Sequence, residues 1–395
     1  MFDARGFTKV RERWIDFWKG QLIFLVVLGH VAGAMAHMTS GSANASMALM
    51  YKWIYCFHMP AFFFLYGYVR ALRADGTPPF QTFLKKKVRR LVVPYFFWGI
   101  VSFVAFSVLG GLYVRFMSGV DDGYYKTAMM SDDILKSILS FLHAGGWPQG
   151  EGFRSNSVLW FLPSMFTTSI AYEMLLRCFT ANGRTKIWDL GVLALIAFAI
   201  GGVMRLYVRL ALPWGMSSLP WWLAFMSIGG VVAESGVVRR TSPATRFVFL
   251  ALGVILFTTV VAALPNMIWA YLRWGGYLTA AAMGIAGCLL SLAAASLYDG
   301  FVDERGLKQR LGGIWIGFGL SSMGIMLVHK FPVCGMQLMA MRLKLLDGLG
   351  SGVLAFVLAI AAAVGVIAVS HFAAVAICAK FPAVFGESGK RGAAE

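Results

Sequence analysis

The sequence predicts an all-α fold, a polytopic membrane helix bundle with about ten transmembrane helices. Three observations predict it. The 395-residue chain is 59% hydrophobic and 13% charged, about half the charged fraction of an ordinary globular domain. Apolar runs recur at lengths suited to crossing a bilayer, at about 20–38, 48–69, 91–113, 158–178, 188–204, 219–234, 247–264, 276–298, 313–333 and 353–378. The basic residues gather in alternate loops. With both termini on one side, that side holds 24 of the 35 lysines and arginines, and the positive-inside rule makes it the cytoplasm.

These features bound the function. The net charge is +17, but its confinement to alternate loops fits membrane topology rather than a nucleic-acid partner. The expected location is a bacterial-type inner membrane, with several passes. No small-residue cleavage site clearly follows the first apolar run, so that run is expected to be retained as a span. One domain over residues 1–395 is expected, with no fused extracytoplasmic domain. The five cysteines, Cys56, Cys178, Cys288, Cys334 and Cys378, lack zinc or Cys-x-x-Cys spacing and read as small packing residues.

The first span opens with charges and encloses a histidine. Lys19 and His30 are eleven residues apart, about three turns and about 16 Å, so they share one face within about 20°. Asp16 lies near the same face and is expected to pair with Lys19 or a loop arginine, being too distant to orient His30. An ionisable group inside a span is costly and is a functional candidate. His37 falls at the outer end and reads as interfacial. Span two carries His58 just before Pro60; proline frees a carbonyl and kinks a membrane helix. His58 therefore has two readings, bonding such a carbonyl or contacting substrate. The span ends in Arg70-Ala71-Leu72-Arg73, whose i, i+3 arginines share a face and present forks suited to phosphate. As cations at a helix end they also satisfy the helix dipole and the topology rule.

The basic run Lys85-Lys86-Lys87-Val88-Arg89-Arg90 suits anionic lipid headgroups. The segment 114–157 is the longest external stretch, and Ile134 to Leu142 within it has the spacing of a short interfacial helix. Span four opens with Leu159-Trp160-Phe161-Leu162-Pro163 and encloses Glu173, expected to pair with a cation on a neighbouring helix. Spans five to eight read as scaffold, with Gly229, Gly230, Gly284 and Gly287 permitting close helix approach. Span nine contains the stretch Gly319 to His329, with His329 expected at the outer interface. His371, in the last span, reads as packing.

The run Trp14-Ile15-Asp16, Lys19-Gly20 and Leu25-Val26-Val27-Leu28-Gly29-His30 resembles the first helix of the acyltransferase family 3 membrane proteins. The fucose acetylase-like, polysaccharide O-acetyltransferase branch is the most similar. Phe57-His58-Met59-Pro60 and Leu159 to Pro163 resemble that family's second and fourth helices. Gly319 to His329 resembles its ninth more loosely, departing at Met326 where an aromatic is usual. The resemblance covers most of the chain. It implies an integral membrane O-acyltransferase moving an acyl group, often acetyl, from acetyl-CoA or another acyl-CoA to a sugar hydroxyl of a glycan or glycolipid. It implies His30 as the catalytic residue, Lys19, Arg70 and Arg73 as donor-binding residues, and His58, Trp160 and His329 as substrate contacts. The partners implied are acyl-CoA, a carbohydrate or glycolipid acceptor and membrane lipids.

The residues themselves allow this chemistry. Histidine is a base near neutral pH and also a carrier of acyl groups; the sequence leaves both routes open. With no Gly-x-Ser-x-Gly elbow and no metal-ligand spacing, neither a serine nucleophile nor a metal is expected. The alternative is a transporter or flippase of a sugar or lipid-linked intermediate. Such proteins often carry an inverted repeat, and none is evident in the sequence.

Overall fold

The computed structural model describes residues 13–72, 78–116, 134–144, 154–179, 187–208, 211–264, 274–298 and 307–387. Among the described residues the structure is helical, with no strand. The helices are α1 (Arg13–Met38), α2 (Gly41–Tyr55), α3 (His58–Leu72), α4 (Phe80–Lys87), α5 (Val93–Phe116), α6 (Ile134–His143), α7 (Phe161–Phe179) and α8 (Ile187–Val203). There follow α9 (Leu219–Ser235), α10 (Pro243–Ala263), α11 (Trp274–Tyr298), α12 (Leu307–Leu320), α13 (Ser322–Val328), α14 (Lys330–Arg342) and α15 (Gly352–Lys380). The short helix expected at 134–142 is α6.

Among the described residues, seven helices are long and apolar enough to cross a membrane, and a bent pair, α13 with α14, makes an eighth when taken as one span. The expected count of about ten is not confirmed by these helices. The second run, 48–69, is divided between α2 and α3, fifteen residues each. Its chain breaks at Cys56 and Phe57 because Pro60 has no N–H for the Cys56 carbonyl. The ninth run is divided at Ser321 and again bends by 45° at His329. There Pro332, one turn on, cannot bond the Val328 carbonyl. The fourth run yields α7, preceded by an irregular turn over Arg154–Trp160 in which Asn156 leaves helical geometry.

α1 is the centre of the bundle. It packs against α2, α3, α11, α12, α13, α14 and α15, and Trp18, Leu22, Val27 and Val31 on it are completely buried. Membrane helices gain little from burying apolar surface, because lipid is equally apolar, so close packing and interhelical bonds hold them. Both appear here. The Trp18 indole donates to Ser291 Oγ on α11 at 3.1 Å. α1 and α12 meet backbone to backbone: a Cβ built on Gly319 would lie 1.7 Å from the Asp16 carbonyl oxygen, and one on Gly20 would lie 2.0 Å from that of Trp315. α3 and α9 make the same kind of contact through Gly67 and Gly229. α10 turns most of its surface outwards, with Phe247, Leu252, Ile255 and Leu256 exposed, as a lipid-facing helix does. Among the cysteines, Cys178 at the end of α7 is exposed, while Cys56, Cys288 and Cys334 are buried.

Candidate active site

Three histidines from three parts of the chain meet in the bundle. His30, on α1, has its ring centroid 5.2 Å from that of His329, with the planes tilted by 42°. On its other side, His30 Nδ1 lies 3.4 Å from the Tyr55 hydroxyl. Tyr55 is the last residue of α2, and its ring meets that of His58, first in α3, at 4.6 Å between centroids. The break between α2 and α3 thus brings Tyr55 and His58 together beside His30.

His58 and His329 are oriented by the same device. His58 Nδ1 lies 2.9 Å from the carbonyl of Ile54, and His329 Nδ1 lies 2.9 Å from that of Ile325. Each is the carbonyl one turn back. A carbonyl only accepts, so each Nδ1 carries the proton and donates it. In the neutral ring Nε2 then keeps its lone pair and serves as an acceptor. His58 is 3% exposed and His329 is 0% exposed. The kink at Pro332 turns this segment against α1 and buries the His329 ring inside the bundle. His329 Nε2 is buried and has no hydrogen-bond partner among the described residues. For His58, bonding a carbonyl at the helix break is what the structure shows.

The other expected residues cluster elsewhere, at the N-terminal end of α1. Lys19 Nζ pairs with Asp16 Oδ1 at 3.0 Å, as expected, and Asp16 is buried. Trp14 and Trp18 both pack edge-on against Tyr68 of α3, at 5.8 Å. The start of α1 and the end of α3 are therefore neighbours, and Arg70 follows two residues later. Arg70 Nε donates to Glu173 Oε2 at 2.9 Å and Nη2 to Oε1 at 3.4 Å. Arg177 Nε reaches the same carboxylate at 2.9 Å, and its Nη2 donates to the Pro78 carbonyl at 2.6 Å. Glu173 is 1% exposed, and two arginines compensate its buried charge. Lys87 stands 4.1 Å over the Tyr66 ring, adding a cation at this end. Arg73 lies outside the described residues.

Trp160 stacks on Trp222 at 5.7 Å, and Trp222 on Phe63 of α3 at 4.5 Å. This aromatic column stands about one turn along α3 from His58. The same irregular turn carries two residues that sequence reasoning missed. Asn156 donates to Ser102 Oγ at 3.0 Å and to the Leu327 carbonyl at 3.5 Å, while its own Oδ1 is buried without a partner among the described residues. Ser157 Oγ accepts from Lys330 Nζ at 3.2 Å. Lys330 and Tyr55 were missed as well. Tyr55 stands three residues before His58, a spacing that would have flagged it had the break between them been legible. His371, away from this group, bonds Ser321 Oγ at 2.7 Å. Among the described residues, no group of three histidine, cysteine or acidic side chains is arranged to hold a metal ion.

A family model described as an acyltransferase domain matches residues 12–372, which takes in every helix named above except the end of α15. The chain belongs to acyltransferase family 3. A stretch of 91 residues is also 35% identical to the nodulation protein NolL of Sinorhizobium fredii, covering 22% of this chain and 23% of that protein. The chain thus spans about a quarter of that relative's length. No solved structure matches. For a family 3 chain the geometry separates two regions. One is a cationic end with Lys19, Arg70 and Lys87. The other is a buried imidazole group around His30, about three turns further along α1.

Proposed function

We propose that this protein is a membrane O-acyltransferase that moves an acetyl group from cytoplasmic acetyl-CoA to a hydroxyl of a carbohydrate or glycolipid acceptor. The observation that carries the reading is the meeting of His329, Tyr55 and His58 around His30, in line along α1 with the cationic end. Family membership supports the reaction class. The separation of Lys19 from His30 along the helix is about 16 Å, a span that the extended arm of coenzyme A can bridge. Its phosphates then lie against Arg70 and Lys19 while its thioester reaches His30. His30 serves either as base for the acceptor hydroxyl or as carrier of the acyl group. The Trp160–Trp222 column offers a flat apolar face to a sugar ring, and His58 completes the acceptor side.

The test is release of CoA thiol from acetyl-CoA by the purified protein in detergent. His30→Ala is expected to abolish release, with the variant still monodisperse and inserted, because removing a catalytic base or nucleophile costs about 10² to 10⁴ in rate. A His30→Ala variant that keeps near-full turnover makes His30 a packing residue and ends this mechanism.

A further inference from the structure

We infer that His329 is a second catalytic imidazole: it takes the proton of the acceptor hydroxyl while His30 carries the acyl group. This rests on the acyl-transfer reading above and assigns its two steps to two rings. Four observations lead to it. The rings of His30 and His329 are 5.2 Å apart, so both can serve one reacting centre. His329 Nδ1 is committed to the Ile325 carbonyl, which leaves Nε2 as the acceptor. That Nε2 is buried and lacks a partner among the described residues. A buried acceptor without a donor loses its water bonds without compensation, and an acceptor hydroxyl supplies the missing donor. Finally, the 45° bend that turns His329 inwards comes from Pro332, and the next residue, Lys330, is tied to Ser157 across the turn before α7. The ring is held on both sides. His30, whose Nδ1 has only the long Tyr55 contact at 3.4 Å, is the less committed of the two.

The steps balance as follows. His30 Nε2 attacks the thioester carbonyl, a C–N bond forms and the C–S bond breaks. The acyl-imidazolium gives its Nδ1 proton to the departing thiolate, which leaves as CoA thiol. The acceptor oxygen then attacks the acyl carbon, the C–O bond forms and the C–N bond breaks. The hydroxyl proton passes to His329 Nε2, and from there to His30, which restores two neutral rings.

The experiment separates the steps. Wild type, His329→Gln, His329→Asn and His30→Ala are mixed in detergent with acetyl-CoA labelled in the acetyl group, with water as the hydroxyl acceptor. Wild type is expected to release CoA thiol and acetate continuously. Both His329 variants are expected to release about one CoA thiol per protein and then stall. Their label stays on the protein until hydroxylamine, which needs no base, removes it. Acetate formation in these variants is expected to fall by about 10²-fold or more, and His30→Ala is expected to take up no label. The burst itself reports that a His329 variant is folded. Turnover by the His329 variants within about three-fold of wild type overturns the proposal. So does absence of label from both variants when both remain monodisperse, since His329 then acts before the covalent step. Absence of CoA release by wild type overturns the acyl-transfer reading itself, and this assignment with it.

Discussion

Arg70 holds one anion and is proposed to meet another. Its Nε and Nη2 bond the buried carboxylate of Glu173, and the proposed function asks the same guanidinium to meet donor phosphate. Glu173 then acts as a clamp that fixes the guanidinium plane before the donor arrives. Charge-assisted bonds to phosphate contribute about 1.5–3 kcal/mol each. Arg70→Gln is therefore expected to raise the dissociation constant of acetyl-CoA about ten-fold or more, read by calorimetry in detergent. Arg70→Lys keeps the charge, loses the fork and is expected to rescue only in part. Acetyl-pantetheine, which lacks the adenosine phosphates, is expected to bind wild type and variant alike. At this scale the sequence was uneven. His30, His58 and His329 could be picked out because an ionisable group in an apolar run is expensive wherever it falls. Tyr55, Asn156, Ser157 and Lys330 could not. Asn156, Ser157 and Lys330 depend on neighbours 54 to 173 residues away, and Tyr55 on a helix break.

Two elements position the imidazoles, and each rests on one residue. Pro332 frees the Val328 carbonyl and bends the chain at His329. Pro332→Ala restores the missing N–H and removes the clash, a gain of up to about 3 kcal/mol for the helix. The variant is expected to be as stable as wild type or more so, yet to lose at least about ten-fold in CoA release, because a straightened segment carries His329 away from His30. Stability and activity moving together would instead mark the bend as ordinary packing. Gly319 holds α12 against α1. A Cβ there meets the Asp16 carbonyl at 1.7 Å, and backbone cannot give way as a side chain can. Gly319→Ala is expected to cost about 1–3 kcal/mol or more, read as a lower thermal midpoint. Gly313→Ala, whose Cβ meets nothing within 4 Å, is the control and is expected to be neutral. The helices were legible element by element because apolar runs announce themselves. Of their breaks, the kink at Pro60 was legible from the proline itself, while those at Ser321 and His329 were not, because hydropathy averages across a break and a divided span looks like a whole one.

For the whole molecule, the proposed orientation puts both termini and the loop over residues 70–90 in the cytoplasm, from the distribution of lysine and arginine. Cysteines introduced into that loop on a cysteine-free background are expected to resist an impermeant reagent added outside intact cells and to react after permeabilisation. Labelling from outside would reverse the direction of transfer. The class of fold was readable from composition and apolar runs, whereas the count of ten crossings is not confirmed: among the described residues, seven continuous helices and one bent pair are long and apolar enough to span. The native thiols already contain a reporter of this arrangement. Cys178 is exposed and directly follows Arg177, which shares Glu173 with Arg70. Its alkylation rate in inverted vesicles is thus a footprint of donor occupancy, needing no substitution and no knowledge of the acceptor. Saturating CoA is expected to slow it, while a free sugar is expected to leave it unchanged.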